Sequence, residues 1–160
     1  MPNMKYASER DAKATLATYW TSASLPVDPV KIARDMGVRV VLAQLGEDIS
    51  GMIVKRPDED ATIYVDVDDS PKRQRFTVAH ELGHYVERAD DRGQLSYVDR
   101  RGGPWSLREL YANEFAGHLL MPADAFTRQW AEQRSLVSVA NHFGVSQDAA
   151  EVRRRRLGLQ

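Results

Sequence analysis

The chain has 160 residues, with 22 Lys or Arg against 23 Asp or Glu and a net charge of −1. That length suits one domain with its own core, and that balance gives no general pull toward nucleic acid or a membrane surface. Cysteine is absent, which excludes disulfides, thiolate metal sites and cysteine catalysis, and leaves His, Asp and Glu as the available metal ligands.

Residues Met1 to Tyr6 lead into a polar segment without an apolar signal core, and no stretch approaches the ~20 apolar residues of a membrane span. A soluble cytoplasmic protein is the expectation. Ala7 to Trp20 reads as a helix with Ala12, Leu16, Tyr19 and Trp20 on its apolar side. Asp28 and Pro29 supply an N-cap and a first-turn proline for a second helix that stops at Gly37. Val38 to Ala43, Ile49 to Val54 and Ala61 to Val67 read as three strands, the last two joined by the turn-forming run Arg56 to Asp60.

Ser70-Pro71 then opens the helix that matters most. It contains His80-Glu81-Leu82-Gly83-His84, an H-E-x-x-H motif. Four residues turn a helix by about 400°, so the two imidazoles stand roughly 40° apart on one face and can reach a single cation. Glu81 lies about 100° round, where it can flank a metal and take a proton from water. Phe76, Ala79, Leu82, Gly83 and Val86 make an apolar stripe beside the histidines, as a buried helix requires. Gly83 is unfavourable inside a helix and points to a close approach by another element.

Asp90 to Pro104 is polar and carries glycine, and reads as a loop or lid. Ser106 starts a helix that runs to Met121 and ends at Pro122. Further helices cover Ala123 to Gln133, Leu136 to Phe143 and Gln147 to Arg156. The expected fold is α+β: a small twisted three-stranded sheet packed with the H-E-x-x-H helix, several further helices and a helical C-terminal tail. Residues 1–134 form the main domain. Residues 135–160 form a helix-turn-helix-like tail packed on it.

Two histidines hold a metal poorly, so a third protein ligand is expected. A glycine at position 87 and a histidine at 90 would continue one known pattern, but the chain has Glu87 and Asp90. Glu109 is the favoured candidate, with Asp90 and Glu114 as alternatives. Glu114 sits about 140° round the helix from Glu109, so only one of them can face the ion. Asn113 lies about 40° from Glu109 and is placed to orient a histidine ligand through its other ring nitrogen. Ser106-x-x-Glu109 is also a capping box, which offers the Glu109 carboxylate a purely structural use. His118, about 180° round from Glu109, faces away, and His142 reads as a surface or packing residue.

Arg75-Phe76-Thr77-Val78-Ala79-His80-Glu81-Leu82-Gly83-His84, followed by Glu109-x-x-Ala112-Asn113-x-Phe115-Ala116-x-x-Leu119-Leu120-Met121-Pro122, resembles the ImmA/IrrE metallopeptidases, gluzincin-like proteins of bacteria and their mobile elements. Ile49-Ser50-Gly51-Met52 and Phe143-Gly144-Val145-Ser146 are weaker matches. Tyr111 departs from the acidic residue many relatives carry there. The resemblance implies a zincin-like fold, Zn2+ held by His80, His84 and Glu109, and Glu81 as general base. It also implies cleavage or inactivation of a helix-turn-helix repressor, derepressing mobile-element or stress genes. The rival expectations are a zinc-containing binding protein without proteolysis and a DNA-binding regulator acting through Arg153 to Arg156. With a net charge of −1, direct binding to nucleic acid is the weaker of these.

Overall fold

The computed structural model describes residues 3–88 and 93–160. Among these, the chain runs α1 (Met4–Tyr19), α2 (Pro29–Asp35), β1 (Arg39–Ala43), β2 (Ile49–Lys55), β3 (Thr62–Asp66), α3 (Pro71–Glu87), β4 (Leu95–Arg100), α4 (Leu107–Leu120), α5 (Ala123–Gln133), α6 (Leu136–Phe143) and α7 (Gln147–Arg156). Side chains the sequence marks as caps close several of these helices. Asp28 accepts from the backbone N–H groups of Val30 and Lys31, and Ser70, Ser106, Ser135 and Ser146 each accept one at the start of α3, α4, α6 and α7.

The sheet has strand order β1-β3-β2-β4. β1 runs parallel to β3, whereas β2 is antiparallel to both β3 and β4. Ile53, Ile63 and Val65 are fully buried, and α3 packs on β2 and β3. On its other side α3 meets α4, and α1 lies against α4 in turn. The approach of α3 to α4 is close: a Cβ on Gly83 would lie 3.0 Å from Ala112 Cα and 3.3 Å from Phe115 Cβ. Glycine is therefore the residue that lets two helix backbones meet at this height, which outweighs its helix penalty.

The α+β reading holds, with the histidines on a helix over a small sheet. The sheet, however, has a fourth strand, and it falls in the segment read as a loop. β4 pairs with β2 from Leu95↔Lys55 to Asp99↔Gly51. Its inward-pointing residues are Leu95, Tyr97 and Asp99, and an acid in that row breaks the apolar alternation that marks a half-buried strand. As an edge strand it also keeps polar residues outward, at Ser96 and Arg100. The lid reading covered residues 90–104; of these, 90–92 lie outside the described residues.

The C-terminal helices share the main core. Val139, Phe143, Val145 and Ala150 belong to the same buried cluster as Ile63, Leu82 and Phe115. Arg75 of α3 ties the α6–α7 turn down, donating through Nε to Gly144 O at 3.0 Å and through Nη2 to Val27 O at 2.6 Å.

Candidate metal centre

His80, Glu81 and His84 all lie in the buried middle of α3. The structure brings Glu109 to them from the first turn of α4. His84 Nε2 is 3.2 Å from His80 Nε2. Glu109 Oε2 is 3.3 Å from His80 Nε2, and its Oε1 is 3.1 Å from His84 Nε2. Ser106 Oγ accepts from the Glu109 backbone N–H at 3.1 Å. The serine thus caps the helix while the Glu109 carboxylate is turned to the histidines.

Asn113, one turn further along α4, faces the same cluster. The Nδ1–H of His80 donates to Asn113 Oδ1 at 2.9 Å, which turns Nε2 toward Glu109 and His84. His84 has a different support. Its ring stacks on Tyr97 of β4, centroids 4.4 Å apart and planes 13° from parallel, while its buried Nδ1 has no hydrogen-bond partner among the described residues. The Tyr97 hydroxyl is engaged by Arg88 at 3.1 Å and by Arg108.

Asp99 of β4 is the residue that sequence reasoning missed. Its Oδ2 lies 2.6 Å from His80 Nε2, and ligand-type atoms of His80, His84, Asp99 and Glu109 all fall within 4.8 Å of one another. The available signal was the spacing Leu95, Tyr97, Asp99 on one face of a strand, legible only if the segment is read as a strand. Glu114 pairs with Arg156 at 2.6 Å, and Asp90 is outside the described residues. His118 Nδ1 accepts from Arg153 Nη2 at 3.2 Å, and His142 packs edge-on against Phe143.

The electrostatics of the cluster favour positive charge at its centre. Burial works against an imidazolium at His80, but the hydrogen bonds to Asp99 and Glu109 outweigh it and push the group up to about 10. Contacts with His80 and then His84 hold the Glu109 carboxyl well below its usual range. Glu81 behaves in the opposite way. Burial, reinforced by the Asp99 charge, raises it well above the usual carboxylate range. Its side chain is fully buried and neither oxygen has a hydrogen-bond donor among the described residues.

A metal fits this donor set. Donors on a tetrahedron with bonds near 2.0–2.1 Å stand about 3.3 Å apart, and the three spacings among His80, His84 and Glu109 run from 3.1 to 3.3 Å. The donors are imidazole and carboxylate, suited to a borderline divalent ion. The cluster opens into a cleft of about 1000 Å³, whose walls include Phe76, Val98, Arg100, Trp105 and Asp148.

A helix carrying H-E-x-x-H over a small sheet, met by a carboxylate from a second helix, defines a zincin-like protein with a group able to hold a metal. The chain belongs to the M78 peptidase family: the model of the IrrE N-terminal-like domain matches residues 33–155. Its fold is similar to that of a Mycobacterium tuberculosis transcriptional regulator, with TM-score 0.57 and 19% identity over 94% of this chain. The match covers 46% of that regulator, so this chain corresponds to less than half of its length. No curated protein matches the sequence. Among the described residues no helix is long and apolar enough to cross a membrane.

Proposed function

We propose that this chain is a zinc-dependent endopeptidase that acts in the cytoplasm on one partner protein, a helix-turn-helix repressor, and so derepresses mobile-element or stress-response genes. The observation that carries the reading is Glu81: a fully buried carboxylate next to the paired histidines, with no donor for either oxygen among the described residues. A protein holds such a group against its desolvation cost chiefly where it handles protons.

In this reading His80, His84 and Glu109 hold Zn2+, and Asn113 orients His80. Zinc supplies Lewis acidity toward a carbonyl and toward water when bound there. Glu81 accepts the proton of the attacking water and returns it to the leaving amine. Burial suits it to this task, because raising its proton affinity makes it a stronger base near neutral pH. The cleft lined by His80, Asp99 and Glu109 has room for an extended segment of substrate. Residues 1–134 carry the site, and residues 135–160 serve as a helix-turn-helix-like tail docked on it.

The arginine cluster weighs against the DNA-binding alternative. Arg153 donates to Met121 O at 2.9 Å, Arg154 and Arg155 each reach Glu151 at 2.7 Å, and Arg156 pairs with Glu114 at 2.6 Å. Arg153 is buried, and the others would have to exchange a carboxylate partner for a phosphate.

The deciding experiment incubates purified protein with the helix-turn-helix protein encoded beside it, with and without chelator, alongside Glu81→Gln. Cleavage by the wild type, lost in the variant at equal zinc content, supports the proposal. Wild-type rates from Glu81→Gln would remove the base assignment. Zinc-loaded protein that grips the repressor without cutting it would favour the second reading, a zinc-containing binding protein that acts by holding its partner.

A further inference from the structure

Asp99 is not among the three ligands of the peptidase reading, yet its Oδ2 stands closer to His80 Nε2 than either Glu109 oxygen does. It lies on β4 directly opposite Gly51 of β2, on the strand face turned toward α3. Its side chain is 16% exposed, and its Oδ2 is 2.6 Å from His80 Nε2. Tyr97, two residues earlier on the same strand face, lies flat on the ring of His84. β4 is thus held over both histidines, with an acid at the position nearest their convergent nitrogens.

Zinc sites that work as catalysts take three protein ligands and leave a position open, whereas sites with four protein ligands are closed. We propose that Asp99 is a fourth protein ligand, so that the centre as folded is closed and the Asp99 carboxylate must leave before a substrate can enter. This rests on the metal assignment to His80, His84 and Glu109. Ligand spacing on a tetrahedron is about 3.3 Å; the Asp99 oxygen is 2.6 Å from His80 Nε2 and within 4.8 Å of the other two donors, so an adjustment of its side chain seats it as a ligand.

The strand is built to let the carboxylate go. Among the described residues β4 is an edge of the sheet, bonded to β2 alone. Its ladder with β2 shifts register between Ile49 and Gly51, next to the Asp99 pairing. Beyond it, Arg100, Gly102 and Gly103 line the open cleft, so an outward rotation of Asp99 meets solvent and not packed core. Exchange of one carboxylate for one incoming ligand keeps the coordination number unchanged.

The test uses cobalt(II) in place of zinc, because its visible bands report the ligand set directly. Full-length wild type, Asp99→Asn and Asp99→Ala are loaded with cobalt and titrated with acetohydroxamate, a small anionic ligand that needs an accessible position on the metal. Both variants are expected to show shifted bands, to bind cobalt at least about tenfold more weakly, and to bind acetohydroxamate at least about tenfold more tightly per bound metal. Unchanged bands in both variants, or acetohydroxamate affinity equal to that of the wild type, would overturn the role of Asp99 while leaving the other three ligands standing. A wild type that takes up no cobalt would remove the metal centre itself and this inference with it. Circular dichroism melts of the variants separate loss of a ligand from loss of the fold.

Discussion

His80 and Asn113 are joined by a 2.9 Å hydrogen bond from Nδ1–H to Oδ1, and this bond aims the other imidazole nitrogen at Glu109 and His84. It crosses from α3 to α4, the same two helices that supply the three proposed ligands. The packing at Gly83 sets the distance between those helices, so one close approach places both the ligand and the group that orients it.

Replacing Asn113 should therefore act on the metal and little on the fold. Asn113→Ala removes the acceptor and frees the His80 ring to rotate. Zinc affinity is expected to fall by about 10–100-fold, the usual cost of losing a hydrogen-bonding partner of a ligand. Competition with a chromophoric chelator measures it. Affinity within a factor of two of the wild type would show that His80 is oriented by something else.

A second expectation concerns the sheet beneath Glu81. A Cβ on Gly51 would lie 2.4 Å from Thr77 Cγ2 and 3.2 Å from Glu81 Oε1. Gly51→Ala should cost about 1–3 kcal/mol through overpacking. Thr77→Ser removes the methyl that makes the worst contact, so the double variant should recover most of that loss in urea unfolding. Additive effects of the two substitutions would contradict this account.

His118 should make stability depend on pH. Burial, and then the charge of Arg153, lower it from 6.5 to about 4. A histidine whose folded value is depressed stays neutral in the native state while the unfolded chain takes up a proton. Its contribution is fully present above about pH 6.5 and is lost as pH falls toward 4. Allowing for partial exposure, the loss is roughly 2 kcal/mol. In His118→Asn, which cannot titrate, the fall in stability between pH 6.5 and 4 should be shallower by that amount. Equal slopes for the two proteins would rule out His118 as the source.

Much of this molecule is local in origin and so could be read along the chain. The H-E-x-x-H spacing places His80 and His84 on one helix face by helix geometry alone. Asp28, Ser70 and Ser106 mark helix starts because their side chains satisfy backbone N–H groups within three residues. The one-turn offset of Asn113 from Glu109 puts it beside a histidine, and the Ser106-x-x-Glu109 capping box competes with that use of the Glu109 carboxylate. Half of that box forms: the serine caps the helix, and the carboxylate goes to the histidines.

What the tertiary structure alone decided is non-local. Which carboxylate reaches the histidines depends on how α4 crosses α3, and that is why Glu109 arrives while Glu114 turns to Arg156. Asp99 enters from an edge strand whose partner, β2, lies more than forty residues earlier in the chain. No periodicity within 95–100 records that pairing. Short-range rules describe the helix that carries two nitrogens; only the packing of sheet and helices determines which oxygens face them, because contacts between distant segments leave no spacing to count.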